Sequence, residues 1–194
     1  MQTVKKSRHT KETEIEITFN PEGSGNYKIN TPIKFFNHML ELFCAHSMTD
    51  LCIDAKSLDC DPHHLVEDCA IALGSAIRES LGDKSGINRY ASVILPMDEA
   101  LIMCAVDISG RAYLKCDIQI KEEKTADFET VLLAHFFASL TQSAGITLHL
   151  KMLEGQDPHH IIECTFKAFA HAIRQAISKD LKNQNKILST KGVL

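Results

Sequence analysis

The sequence predicts an α+β protein built from two homologous half-domains, each a β-sheet of about four strands covered on one face by two helices, packed together as one unit. Three observations predict it. First, Asp61 to Asp83 (DPHHLVEDCAIALGSAIRESLGD) aligns without gaps on Asp157 to Lys179 (DPHHIIECTFKAFAHAIRQAISK), with nine of twenty-three positions identical at an offset of 96; self-similarity at a fixed offset is the mark of internal duplication. Second, an apolar segment carrying one histidine precedes each copy, Phe35-Phe36-Asn37-His38-Met39-Leu40 and Leu133-Ala134-His135-Phe136-Phe137, at an offset of 97. Third, strand-like and helix-like periodicities follow one another in both halves.

Thr13 to Phe19, Leu51 to Ala55 and Ile146 to Met152 alternate apolar and polar residues, the pattern of half-buried strands. Asn20-Pro21-Glu22-Gly23-Ser24-Gly25 reads as a turn. Residues 32–46, 64–80, 129–143 and 160–178 carry helical spacing, with Val66, Ala70, Leu73 and Ile77 on one apolar stripe. Asp61-Pro62 and Asp157-Pro158 suit an N-cap followed by proline in the first turn. The polar stretch Lys121 to Asp127 follows an alternating segment, Ala112 to Ile120, and is expected to be an exposed connection. One catalytic domain over residues 1–194 is expected, its halves meeting near 92/93 (roughly 8–92 and 93–185), with a tail at 186–194.

Composition narrows the function. With 44% hydrophobic residues, 24% charged and a net charge of −4, the chain is an ordinary globular protein, and it has no Lys/Arg block of the kind that binds nucleic acid. No run approaches the roughly 20 apolar residues of a membrane span, so a cytoplasmic protein is expected. Seven cysteines, odd in number and never CxxC-spaced, suggest free thiols. No GxGxxG or GxxxxGK[ST] loop is present, which leaves no signal for a dinucleotide or nucleotide.

The chemistry lies in the repeat. On a helix His64 and Glu67 are three residues apart and share a face, and His160 and Glu163 repeat the pair. Adjacent helical residues diverge by about 100°, so His63 and His64, like His159 and His160, are expected to serve different metals. Adding His38 and His135 gives six histidines and two glutamates, enough for two sites of three imidazoles and one carboxylate with positions open for substrate. A single HHxxE is more often a surface pair at a helix start. Duplication argues otherwise, because Asp, His, His and Glu match between copies while several core positions differ. His9, His46, His149 and His171 have no carboxylate at ligand spacing and are read as exposed or hydrogen-bonded histidines.

Phe35 to Leu40, His63-His64-Leu65-Val66-Glu67-Asp68, Leu81 to Ile87, Pro96-Met97-Asp98-Glu99-Ala100, Asp107 to Arg111, His159 to Glu163 and the ending Ser189 to Leu194 together resemble the imidazoleglycerol-phosphate dehydratases, in order and over nearly the whole chain. The resemblance implies two manganese ions (Mn2+) per chain at subunit interfaces, in a homo-oligomer of 24 subunits. It implies one ion on His38, His64 and Glu67 with the partner subunit's His159, and the other on His135, His160 and Glu163 with the partner subunit's His63. It also implies Glu12 as the acid/base glutamate, and Arg89, Met97, Arg111, Lys167, Ser189 and Lys191 at the phosphorylated substrate. Asn37 stands where that family usually has Asp, and Leu42 where it has Gln; Ala45 and Ser47 depart as well.

The implied substrate, imidazole glycerol phosphate, loses a proton that is not α to a carbonyl, so simple abstraction would leave an unstabilised carbanion. An imidazolate held between two metals could instead expel the neighbouring hydroxyl, giving a diazafulvene-like intermediate whose next proton Glu12 could take. Two rivals use the same ligands: a di-metal hydrolase and a non-catalytic metal-binding shell.

Overall fold

The computed structural model describes residues 1–182, 186–192 and 194. In the first half β1 (Val4–His9), β2 (Thr13–Asn20), β3 (Tyr27–Asn30), α1 (Lys34–Ser47), β4 (Asp50–Ser57) and α2 (Pro62–Ser80) follow in order. The second half runs β5 (Tyr90–Met97), β6 (Ala100–Asp107), β7 (Tyr113–Asp117), β8 (Lys124–Thr125), β9 (Phe128–Glu129), α3 (Leu132–Ala144), β10 (Thr147–Glu154) and α4 (Pro158–Ile177). Because β5 spans Tyr90–Met97 and belongs to the second sheet, a division at 92/93 would cut it; the sheets change over ahead of Tyr90.

The two sheets share one topology, β1-β2-β4-β3 and β5-β6-β10-β7. Each has antiparallel pairs down to β4 or β10 and closes with a parallel partner, β3 on β4 and β7 on β10. Alternation does what the period of two requires. In β2, Ile15, Ile17 and Phe19 are buried, and their neighbours in register on β4, Ala55, Ile53 and Leu51, are buried with them.

Helices α1 and α2 lie on the first sheet and α3 and α4 on the second, and the helical layers face each other. The contacts are crossed: α1 packs against α4, and α2 against α3, so each helix finds its partner in the other half. A phenylalanine cluster fills the junction. Phe36 meets Phe136 edge-on at 5.5 Å between ring centroids, Phe43 stacks on Phe169 at 5.6 Å, and Phe137 touches both Phe166 and Phe169. These rings are fully buried, each adding about 1.5–3 kcal/mol of hydrophobic stabilisation to the joint between halves.

Helices α2 and α4 begin at their prolines, slightly ahead of the apolar periodicity. Asp61 accepts the His63 N–H at 2.8 Å and Asp157 the His159 N–H at 2.7 Å, so the first-turn histidines are fixed by side-chain caps. The 121–127 stretch is not merely an exposed connection. It enters a two-stranded ribbon of β8 and β9 whose Phe128 is buried against Phe35 and Phe36. Among the described residues no helix is long and apolar enough to cross a membrane.

Gly74 marks the closest approach of α2 and α3. A Cβ there would meet the Leu140 carbonyl oxygen at 2.5 Å and the Ser143 Cβ at 2.9 Å, backbone and near-backbone atoms that cannot swing away. Gly74→Ala is therefore expected to force the helices apart and destabilise the protein by about 1–3 kcal/mol despite alanine's better helix propensity. Chemical denaturation measures this, and a variant as stable as wild type would show that α2 and α3 are not held at this distance.

Candidate metal centres and substrate-contacting residues

Crossed packing decides which side chains meet. On α4 the capped first turn points His159 and Glu163, one turn apart, at α1, and α1 supplies His38. His38 Nε2 lies 3.4 Å and His159 Nε2 3.1 Å from the same oxygen, Glu163 Oε2. Lys167, one further turn along, takes the other oxygen, Oε1, at 2.7 Å and leaves Oε2 to the ring nitrogens. Glu163 is buried, which pushes its carboxyl upward, but Lys167, His159 and His38 together hold it below the usual range. In the α2–α3 pair His63 Nε2 is 3.5 Å from Glu67 Oε2 and the His63 ring meets that of His135 at 4.6 Å, a looser arrangement than the three-way convergence on α4. Among the described residues the other close group of candidate ligand atoms is Glu12, Asp59 and His64.

Within one chain these side chains meet in a different grouping from the one the resemblance implies. His38 does not join His64 and Glu67, nor does His135 join His160 and Glu163; His38 meets the second repeat and His135 the first. Within each repeat the glutamate faces the first histidine, at i, i+4, and not the second at i, i+3. Within the chain His159 stands beside His38, and His63 beside His135. Both spacings are compatible with one helix face, so only the direction from which α1 and α3 arrive distinguishes them.

The second histidines turn away, as about 100° per residue requires. His64 Nδ1 lies 2.6 Å from Asp59 Oδ2, and His160 Nδ1 2.7 Å from Glu99 Oε2; these partners raise both imidazoles' pKa values. Each pairing takes up Nδ1 and leaves Nε2 as the other ring nitrogen, that of His160 lying 3.8 Å from Asp98 Oδ2. Glu99 sits on the β5–β6 turn. The Asp157 N–H, then His160, pull its pKa down to about 2. Glu12 occupies the matching β1–β2 turn, its Oε2 3.9 Å from His64 Nδ1 and its side chain half exposed. Asp59 and Glu99 are partners that sequence reasoning missed, although Glu99 lies in the Pro96 to Ala100 block that carried part of the resemblance.

The residues expected at the substrate fall into two places. Lys167 Nζ approaches Met97 Sδ at 3.7 Å at one end of β5, beside Glu163. Arg89 stands just before the other end. It is buried, with a two-point fork onto Asp107 (2.7 and 3.2 Å) and a 2.5 Å bond to the Leu188 carbonyl, which ties it to the tail that carries Ser189 and Lys191. Arg111 is exposed, its nearest carboxylate being Asp107 at 3.8 Å. Asn37 has a local explanation: its Nδ2 donates to the Thr31 carbonyl at 3.0 Å and its Oδ1 accepts from the Thr31 hydroxyl at 2.7 Å, a clasp that an aspartate could make only in part. Leu42 packs against the core, and Ser47 bonds Thr49. Of the histidines read as non-ligands, His9 bonds Glu16, His46 faces His171 and His149 faces Tyr113.

Fold and site together define a duplicated α+β protein that gathers imidazoles and carboxylates on crossed helices. The imidazoleglycerol-phosphate dehydratase family model matches residues 31–173. The chain is 49% identical to an imidazoleglycerol-phosphate dehydratase of Acetivibrio thermocellus over 97% of its own length and 96% of the relative's. It is 47% identical to that of Zymomonas mobilis, over 96% of each. Crystal structures of the Staphylococcus aureus and Pyrococcus furiosus enzymes superpose with TM-scores of 0.84 at 35% and 36% identity, covering 92% and 97% of this chain and all of theirs. The chain belongs to the imidazoleglycerol-phosphate dehydratase family, and with it to the hydro-lyases of histidine biosynthesis.

Helix α1, which carries His38, has no cap of its own at Ile33. Asp127, 93 residues away in the β8–β9 turn, supplies it by accepting the N–H groups of Lys34 (2.7 Å) and Phe35 (2.9 Å). Partial burial raises the Asp127 pKa, but the two N–H bonds outweigh it, so the folded value lies below the ordinary one. A depressed carboxylate contributes stability that is present above its unfolded pKa of about 3.9 and lost as pH falls through the folded value. Asp127→Ala is expected to cost about 1 kcal/mol at neutral pH, the size of a lost helix cap. The gap from wild type should narrow as pH falls below that unfolded value and through the lower folded one. Denaturation curves at pH 7 and pH 3 check it; a gap of equal size at both would remove the charged cap as its cause.

Proposed function

We propose that the chain dehydrates imidazole glycerol phosphate to imidazole acetol phosphate using two Mn2+ per chain, in the cytoplasm, as a homo-oligomer of 24 subunits. The observation that carries this reading is the convergence of His38, His159 and Glu163, whose ligand atoms all lie within 4.8 Å of one another. A first-row divalent ion with bonds of about 2.0–2.2 Å needs donors separated by at most about 4.4 Å, so slight closure about an ion suffices. Two imidazoles and a carboxylate are donors that first-row divalent ions share, and the choice of manganese among them comes from the family resemblance. His63, His135 and Glu67 would form the second set. In this reading the fourth ligand of each set is the outward His64 or His160 of a partner subunit, since each points away from its own chain's clusters and is held rigid by Asp59 or Glu99.

A second argument supports assembly. Along β5, Met97 and Lys167 are separated from Tyr90, beside Arg89, by seven residues, about 23 Å at a strand's rise of about 3.3 Å each. That exceeds the reach of a small phosphorylated imidazole, so the arginines and tail of one subunit would serve the metals of another. All seven cysteines are free thiols, which fits a reducing compartment.

Bound manganese would supply Lewis acidity that favours the imidazolate form of the substrate ring. The chain's own residues do the rest. Arg89, aimed by Asp107, and exposed Arg111 with Ser189 and Lys191 would take the phosphate by charge-assisted bonds. Lys167 would orient Glu163 and, beside Met97, line the ring pocket. Glu12, as the acid/base group, would give its proton to the departing hydroxyl, which leaves as water, and the resulting carboxylate would take the side-chain proton that dehydration makes acidic.

Purified protein with Mn2+ and imidazole glycerol phosphate should yield imidazole acetol phosphate and no free phosphate; phosphate release without the ketone would turn the reading toward a hydrolase. Glu163→Ala and Glu67→Ala should each keep about one manganese per chain and lose nearly all turnover. Two ions retained in both variants would refute these ligand sets.

A further inference from the structure

We infer that Asp68 is a positioning residue that holds the β1–β2 turn, and with it Glu12, against His64. The inference rests on Glu12 as the acid/base group. Asp68 follows Glu67 on α2 and is buried, with both oxygens engaged: Oδ1 accepts from Arg8 Nε at 2.6 Å and Oδ2 from the Thr13 hydroxyl at 2.5 Å. Arg8 and Thr13 stand on either side of the turn that bears Glu12, so one carboxylate grips both strands of the hairpin from behind. Charge-assisted bonds of this length are among the stronger hydrogen bonds, and a buried pair of them resists hairpin motion. Within the turn the Thr10 hydroxyl accepts the Glu12 and Thr13 N–H groups, and the Leu58 N–H closes on the Glu12 carbonyl at 2.7 Å. The Glu12 backbone is thus fixed while its side chain makes no hydrogen bond among the described residues.

The duplicate explains why such a device is needed. In the second half Glu99 occupies the equivalent turn, and its carboxylate is held directly by the N–H groups of Asp157 and Gln156 and by His160. At the position equivalent to Asp68 that half has Cys164, whose thiol approaches the carbonyls of Leu95 at 3.1 Å and Ala100 at 3.9 Å on the two strands but makes no charge-assisted bond to either. For a turn whose carboxylate is itself anchored, these weak thiol contacts suffice. A turn whose carboxylate must stay free to exchange a proton needs firmer support from behind, and Asp68 supplies it without touching that carboxylate.

The test is a double-mutant cycle on the manganese-loaded enzyme with Asp68→Asn and Glu12→Gln, read with metal content and amide exchange. Asp68→Asn should keep two manganese per chain, speed exchange at Glu12 and Thr13, and lower kcat about 10- to 100-fold with little change in KM, as misplacement of a reacting group does. Arg8→Gln, a change at a half-exposed side chain that leaves Asp68 in place, should do the same more weakly and covers the case in which Asp68→Asn folds poorly. In the Glu12→Gln background neither change should lower kcat further. An equal loss in both backgrounds, or loss of manganese with Asp68→Asn, overturns the positioning role and assigns Asp68 to general stability or to Glu67. A fully active Glu12→Gln enzyme removes the acid/base reading itself, and the inference with it.

Discussion

Everything at the site depends on the crossed packing of four helices between two sheets. Each half presents one helix with a single inward histidine and one HHxxE helix, but α1 leans on α4 and α2 on α3, so each group of imidazoles and carboxylate draws on both halves. The constraint is steric before it is chemical. Gly74 lets α2 and α3 approach until a single methyl group would collide, and the phenylalanine junction holds α1, α3 and α4 in register. Polar side chains on such a scaffold inherit the rigidity of a close-packed core, which a surface loop could not offer.

Duplication gave two copies of this scaffold, and the copies have diverged where their tasks differ. Gly74 has Ala170 as its counterpart, so the α1–α4 contact carries a methyl group where α2–α3 has none. The turn glutamates diverge more. Glu99 spends its carboxylate on loop amides and His160, while Glu12 keeps its own free and is steadied through Asp68. Two topologically equal carboxylates thus reach different states: one held ionised down to about pH 2, the other half exposed beside a histidine.

Arg89 shows how tightly structural contacts can fix a charged group. Arg89 spends three of its five N–H groups on Asp107 and the Leu188 carbonyl, and its guanidinium lies 4.5 Å from the Tyr90 ring centroid. Such a guanidinium is preorganised, its direction set before any anion arrives. It stands at the opposite end of β5 from Met97 and Lys167, so the chain's cationic groups lie in two separate places.

The fold class, the duplication and the identity of nearly every polar residue of interest were legible in the sequence, because strand alternation, helical stripes and capping aspartates are local signals that act over a few residues. The pairing of ligands was not. His64 and Glu67 share a helix face as plausibly as His63 and Glu67, and nothing in the spacing says that His38 arrives at the second repeat and not its own. Asp127 capping α1 from 93 residues away and Asp68 gripping Arg8 and Thr13 have no local signature either. Periodicity determines which face of an element is polar, but which other element meets that face is set by how two sheets and four helices bury their apolar sides together, and that packing alone decided it.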